Sequence, residues 1–307
     1  NEARIGTGLM ATGNASAAFY ASLKYANERP QGRHPSNKDA SQPQVLIIEH
    51  ADVKRMLLFQ KSVVEGSIAL LMQCSLYADL VHVGDAETKE KCHLLLELLT
   101  PIVKSFPSEY GIQSVKVAMQ SLGGAGYCDD FPIEQHYREI PINSIYEGTT
   151  AIHGMDLLGR KVMLEKGKAM QLFAKEVMKT IGEAQQHEGL KPFGDKLGLV
   201  AQKLQQCTQH LIGLAMSERA EVFLADATLY LEYFSLVTIG WQWLVQGIVA
   251  QNALATAANE DETNFYQGKI HTLRYYFEYE IPKTRGLHER LISSDRLTTE
   301  IKGAYIN

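Results

Sequence analysis

The apolar residues of this chain recur at helical spacing along nearly its whole length, and no region reads as strand-rich. Faces of that kind are buried by packing helix on helix, so the chain is predicted to be all-α. Residues 3–28 place Ile5, Leu9, Thr12, Ser16, Phe19 and Leu23 on one stripe, closed by Pro30 and Gly32. The polar run 33–44 reads as a loop. A long helix is expected over 45–82, carrying Ile48, Met56, Val63 and Leu70. A third starts behind Asp85, a cap candidate, and a fourth spans 107–122, opened by Pro107-Ser108-Glu109 and closed by Gly123-Gly124. The stretch 125–148 lacks a clean period. Helical patterning resumes at Thr150, runs past Gln185, and continues near 196–230, 231–258 and 264–285. A boundary falls near 163–168, giving domains at 1–163 and 164–307.

Length and charge exclude some roles. At 307 residues and a net charge of −5, the chain has room for about two domains and lacks the basic surplus of a phosphate-gripping protein. No nucleic-acid partner is expected. The four cysteines, Cys74, Cys92, Cys128 and Cys207, show no CxxC and read as free thiols of a reducing compartment, consistent with the cytoplasm. No HExxH or Cys/His spacing points to a metal. Residues 233–259 carry no charge, a length that raises a membrane span. Gln242, Gln246, Gln251 and Asn252 recur within it, which favours a buried helix of a soluble bundle and no span. The opening, NEARIGTGLMATG, reads as the inside of a helix, so the chain is expected to be the C-terminal part of a longer polypeptide whose targeting signal is not assessable.

Three short segments carry chemistry. LGGAGY (122–127) can let backbone approach a phosphate, or can simply cap a helix. YANERPQGR (25–33) offers Arg29 and Arg33, either as complements to a helix dipole or as a guanidinium clamp on a pyrophosphate. In NSIYEGTTAIHGMDLLGRK (143–161), Glu147 stands before Gly148 with no adjacent base. It is either a structural acid near a helix start or a general base on a carbon acid. The second role needs partial desolvation and a close N–H for the developing oxyanion. Thr149 or Thr150 can cap the helix that follows.

Taken in order, ERxxG, LGGxGY, IYEGT and a helix ending in GRK, the chain resembles the acyl-CoA dehydrogenase family over residues 1–163, the C-terminal four-helix bundle of that family. Residues 164–307 are similar, more loosely, to the additional helical domain of larger bacterial members such as those resembling 3-(methylthio)propionyl-CoA dehydrogenase. The resemblance implies a flavoprotein oxidoreductase of fatty acid metabolism. Glu147 would remove the α-proton of an acyl-CoA thioester, the β-hydride would pass to FAD, and trans-2-enoyl-CoA would form. It further implies Arg29, Gln31, Gln120, Gly123, Gly124 and Thr149 as FAD contacts. Arg4, Tyr146 and Gly148 become substrate contacts, with Arg4 near the CoA nucleotide. Ala3 stands where some members carry the base, so Glu147 takes the role and Glu2 is one residue off. Gly32 replaces an aromatic of the short members.

The family's N-terminal and middle domains have no counterpart here, so the fragment alone is expected to be inactive. A homo-oligomer, dimer or tetramer, would share FAD sites, and an electron-transfer flavoprotein would be the acceptor. Two rival readings are a DNA-binding flavoprotein of the alkylation response and a structural helical module. Residues 165–307 carry 15 basic and 17 acidic residues, a balance of −2 that offers the first rival no footprint.

Overall fold

The computed structural model describes residues 1–36 and 39–306. Among them there is no strand; a single antiparallel bridge joins Pro30 and Leu46. Helices α1 (Glu2–Glu28), α2 (Ala51–Val83), α3 (Ala86–Leu122), α4 (Ile133–Glu139) and α5 (Thr150–Gly159) come first. They are followed by α6 (Lys168–Ala184), α7 (Lys191–Ser217), α8 (Ala220–Phe223), α9 (Ala227–Leu254), α10 (Glu260–Tyr275), α11 (Thr284–Leu291) and α12 (Leu297–Glu300). Contacts divide the chain into two compact units, and α2 and α3 each contribute residues to both.

One unit comprises Glu2–Leu71 and Val103–Glu147. Its core joins Ala15, Ala18, Phe19 and Ala26 of α1 to Leu57 and Val64 of α2, Val115, Ala118 and Leu122 of α3, and Ile133 and Ile140 beyond. The buried line of α1 is made of small residues, Gly8, Ala11, Ala15, Ala18, Ser22 and Ala26. The stripe expected from the larger residues is therefore rotated: Thr12 and Phe19 are buried, while Leu9 stands 56% exposed. Small side chains let backbones approach closely, and that gain exceeds what one leucine contributes by burial.

The expected helix start at residue 45 is corrected. Leu46 is extended, a short 3-10 turn follows at Ile47–Glu49, and this stretch pairs with the arm after α1: Gln31 N donates to Val45 O (2.8 Å), Val45 N to Gly32 O (3.0 Å) and Ile47 N to Arg29 O (2.9 Å). The expected break at Pro107 is also absent, since α3 runs unbroken through Pro101 and Pro107. A proline deletes one donor and crowds the carbonyl one turn back, but buried neighbours on both sides hold the helix together. Asp85 does cap α3, accepting from Thr88 N at 2.8 Å.

The other unit comprises Asn1, Met72–Ile102 and Gly148–Asn307. Its centre is α9, with Tyr230, Tyr233, Phe234, Leu236 and Trp243 fully buried. Phe173 of α6 meets Phe234 and Trp241 at ring distances of 5.0 and 5.7 Å, and Trp241 Nε1 donates to Thr180 Oγ1 at 2.9 Å. By length and composition α2 and the stretch 220–254 could each cross a membrane. In α9, protein neighbours bury the apolar surface instead. Gln246 Oε1 accepts from Lys269 Nζ at 3.3 Å, whereas the Nε2 atoms of Gln246 and of the buried Gln242 find no partner among the described residues, so internal pairing explains the recurring amides only in part. Helical patterning past Thr150 is interrupted at Leu164–Lys166, where Glu165 and Lys166 take left-handed backbone.

Candidate active site

Glu147 is built on a constrained turn. Its own φ is +58°, a region that non-glycine residues occupy at a cost of about 1–3 kcal/mol, and Gly148 follows at φ +102°. A residue held in that region needs surroundings that over-determine it. Upstream, Asn143 is buried, and its side-chain Nδ2 donates to Ile140 O at 3.0 Å. The Tyr146 hydroxyl donates to Asn143 Oδ1 at 3.0 Å and lies 3.2 Å from Met10 Sδ of α1. The Ser108 hydroxyl of α3 is 2.7 Å from Lys104 O and 3.1 Å from Asn143 O, tying this segment to α3. The Glu147 side chain itself is exposed. Desolvation of the kind a carbon-acid base requires is therefore not provided by the described residues.

Downstream, a Cβ added at Gly148 would come within 3.1 Å of His153 Nε2, so the fully buried His153 backs the glycine closely. Thr149 occupies the N-cap position of α5 but makes no side-chain capping bond. The GRK ending is structural in this fold. Arg160 pairs with Asp156 at 2.7 Å, and the buried Lys161 pairs with Glu97 of α3, whose other oxygen accepts from Asn1 Nδ2 at 2.5 Å. Burial alone would raise the Glu97 pKa, but the hydrogen bonds from Lys161 and Asn1 and the Lys161 charge hold it below the usual value.

Opposite charge near Glu147 comes from a residue not singled out in the sequence. Lys104 of α3 is completely buried. Burial pushes its ammonium down to about 8; the charges of Glu109 and Glu147 act against that, and Arg4 acts with it. Arg4, Glu109 and Glu147 thus all lie within reach of the Lys104 charge. The sequence signal was present: Lys104 is the sole charge in the apolar run LLTPIVKSF, and a lysine inside such a run is rarely buried without a charged neighbour.

A second cluster lies in the same unit. Gln31, Gln120 and Gly123 line one open pocket of about 420 Å³ together with Gly32, His50, Tyr25 and Met56. Arg29 is exposed two residues before Gln31 on the same arm, and Gly124 follows Gly123. Gly123 has φ +61°, and a Cβ on either glycine would meet nothing within 4 Å. His50 Nε2 sits 2.7 Å from Gln31 O and so fixes the arm. An exposed guanidinium, two amides and a bare glycine turn fit one half of a pyrophosphate-containing cofactor. Among the described residues no group of three His, Cys, Asp or Glu is placed to hold a metal. All four cysteines are free, with Cys74, Cys92 and Cys207 buried and Cys128 exposed.

Residues 1–163 match the family described as "Acyl-CoA dehydrogenase, C-terminal domain", and residues 173–302 match "Acetyl-CoA dehydrogenase C-terminal like". The chain is 30% identical to the broad-specificity linear acyl-CoA dehydrogenase FadE5 of Mycobacterium tuberculosis, over 99% of this chain and 51% of that protein. It is 31% identical to 3-methylmercaptopropionyl-CoA dehydrogenase of Ruegeria pomeroyi, over 97% of this chain and 50% of that protein. A solved acyl-CoA dehydrogenase from Bacillus anthracis, complexed with FAD, shares the fold with a TM-score of 0.68 at 17% identity, over 97% of this chain and 50% of that one. The chain therefore spans about half the length of the curated relatives it matches. With the family's C-terminal domain matched over more than half of its residues, the chain belongs to the acyl-CoA dehydrogenase family.

Proposed function

We propose that this chain supplies the catalytic base and half of the flavin site of an enzyme that dehydrogenates acyl-CoA thioesters to trans-2-enoyl-CoA. The observation that carries the reading is the turn at Glu147, where two successive left-handed residues present an exposed carboxylate from an anchored segment. In this reading Glu147 accepts the α-proton of the thioester, and the electron pair of that C–H bond becomes the new α,β double bond. The Glu147 N–H helps hold the thioester oxygen as charge develops there. Tyr146 and Gly148 shape the acyl channel, and Arg4 serves the CoA end.

Arg29, Gln31, Gln120, Gly123, Gly124 and Thr149 would hold FAD, which when bound would supply the acceptor for the β-hydride. Because the pocket at Gln31, Gln120 and Gly123 is open, a second copy of the polypeptide would complete it, which makes the protein a dimer or tetramer. An electron-transfer flavoprotein would reoxidise the flavin. The division at about residue 163 is part of the same proposal, supported by the two family matches on either side of it. Desolvation of Glu147 would come from bound substrate and from chain beyond this segment, so the fragment alone should not turn over.

The test is Glu147→Gln in the full-length polypeptide. It should keep its flavin absorbance while turnover falls by roughly 10²–10⁴ or more. A variant that keeps more than about a tenth of wild-type kcat, under about 1.4 kcal/mol, would return attention to Glu2, the exposed first residue of α1. Arg29→Ala should separately weaken flavin retention.

A further inference from the structure

The helix that follows the base packs with the later half of the chain. α5 belongs to the same compact unit as α6–α12, in a stretch that begins at Gly148, the residue after Glu147. Its buried face carries His153, Gly154, Leu157 and Leu158, the three- and four-residue spacing of a helix laid on a partner. Gly154 meets the first turn of α9. A Cβ built on it would stand 2.7 Å from Ala227 O, 2.8 Å from Ala227 C and 2.9 Å from Thr228 N, so the two helices touch backbone to backbone. Further along α5, a Cβ on Gly159 would lie 3.5 Å from Leu224 Cδ2. The start of α9 is itself fixed from two sides. Asp226 accepts from Arg290 Nε of α11 at 3.0 Å, and the Tyr230 hydroxyl is 2.7 Å from Thr208 Oγ1 of α7. His153, the immediate neighbour of Gly154, is fully buried, and its Nε2 lies 3.1 Å from the place a Gly148 Cβ would take. Two consecutive residues of α5 thus meet α9 and the turn behind the base.

We propose that Gly154 and His153 are positioning residues of the reaction, and that the helices beyond residue 167 are the platform of the catalytic turn. α9 fixes α5 through Gly154, and α5 fixes the Gly148 peptide through His153. The inference rests on the reading of Glu147 as the base, and it gives the additional helical domain a task. Glu147 and Gly148 are both left-handed, and a non-glycine residue stays in that region only where its surroundings over-determine it. Upstream of Glu147, the bonds of Asn143, Tyr146 and Ser108 do this. Downstream, Gly148 is the loosest joint, because glycine restricts its own backbone least. Thr149 lends no side-chain capping bond to the start of α5, which leaves more of the work to the body of the helix. A contact between two backbones suits that work, since no rotamer change can relax it and a packed interior transmits the displacement. A shift of α5 therefore reaches the peptide next to the base, and a misplacement of about 1 Å at a reacting group can cost about 10²-fold in rate.

The experiment measures kcat and KM for an acyl-CoA substrate in the full-length wild-type enzyme, Gly154→Ala, His153→Leu, His153→Gln, Gly182→Ala and Glu147→Gln, with flavin absorbance and thermal midpoint for each. Gly182 of α6 has nothing within 4 Å of an added Cβ, so it controls for a methyl added to a helical glycine of the same unit. Gly154→Ala should lower kcat about ten- to hundredfold. KM and flavin content should stay near wild type, because Arg29, Gln31, Gln120, Gly123 and Gly124 lie in the other unit. His153→Leu, which keeps an apolar side chain and loses the ring nitrogen, should show the same loss. His153→Gln, whose amide can return a nitrogen to that place, should recover most of it, and Gly182→Ala should match wild type. A Gly154→Ala enzyme with the kcat of Gly182→Ala, or one whose loss is confined to KM or flavin content, would overturn the proposal. If Gly154→Ala does not fold, the histidine pair decides: a wild-type kcat in His153→Leu, or a loss that His153→Gln does not relieve, overturns it equally. Activity retained in Glu147→Gln removes the base assignment and this inference with it, whereas an inactive Glu147→Gln beside unchanged Gly154→Ala and His153→Leu enzymes removes the platform alone.

Discussion

Gly8 packs directly onto the carbonyl of Val103: a Cβ built on that glycine would stand 2.1 Å from the oxygen. Backbone cannot yield as a side-chain tip can, so any larger residue must push α1 off α3. Gly8→Ala is expected to destabilise the protein by about 2–3 kcal/mol, the upper part of the range for overpacking. Gly13, with nothing within 4 Å of its added Cβ, is the control. Gly13→Ala should be neutral or slightly stabilising, by up to about 1 kcal/mol through helix propensity. Thermal unfolding of the two variants side by side checks this, and equal midpoints would show that the close approach is not what holds these helices.

The turn after the base gives a second expectation. Gly148 combines φ +102° with a Cβ position 3.1 Å from His153 Nε2. Gly148→Ala must strain the backbone and press on a buried ring, and either response re-aims the peptide next to Glu147. Turnover should fall at least about tenfold, equivalent to about 1.4 kcal/mol of transition-state stabilisation, with little change in flavin retention. Steady-state kinetics of the full-length variant measure both. Unchanged kcat would mean that the turn tolerates a side chain and does not set the position of the base.

Much of this was legible in the sequence, and the failures have identifiable physics. The α-helical class, α1, the loop reading of 33–44 at its described residues (37 and 38 lie outside them) and the Asp85 cap follow from period and cap chemistry, which are local. The break predicted at Pro107 failed because a proline removes only one donor, and α3 is buried on both sides of it. The stripe through Leu9 failed because hydrophobicity was weighed by side-chain size, whereas α1 is packed through glycine and alanine. Lys104 was missed because its burial is set by long-range packing: Glu147, whose charge acts on it, lies 43 positions further along the chain, and no spacing rule connects them. Glu147 and Gly148 stood out because the turn's backbone chemistry is written in consecutive residues, while the roles given to them came from the family resemblance.

Lys104 also makes a prediction about stability that does not depend on turnover. Its pKa is lowered from 10.5 to about 8 in the folded chain. Between those values the unfolded chain binds more protons at this position than the native one, so this lysine adds stability as pH rises through the window. Below about 8 both states are protonated and the burial penalty is fully present. Lys104→Met lacks the penalty at every pH. Its advantage over wild type should therefore be largest at pH 7 and shrink by pH 10. Thermal midpoints of both proteins at the two pH values test the sign, and a constant difference would contradict the depressed ionisation.

Lys161 and Glu97 predict an asymmetry. Lys161 keeps 4% of its side chain exposed and Glu97 keeps 22%. Removing the carboxylate leaves an ammonium buried with only neutral partners. Removing the lysine leaves a carboxylate that water can still reach and that Asn1 still serves. Glu97→Gln should cost about 3 kcal/mol, the low end for stripping one member from a buried pair, whereas Lys161→Met should cost less than half as much. The double variant should resemble Lys161→Met rather than the sum, because the lone buried charge is gone. Glu97 has a depressed pKa in the folded chain, so the stability it contributes is complete above its unfolded value of 4.5 and is lost as pH falls through the folded one. The penalty of Glu97→Gln, measured by denaturant unfolding, should therefore persist at pH 5 and fade toward pH 3. Equal penalties for the two single variants, or a Glu97→Gln penalty that survives acid, would show that the pair is not carrying the end of α5.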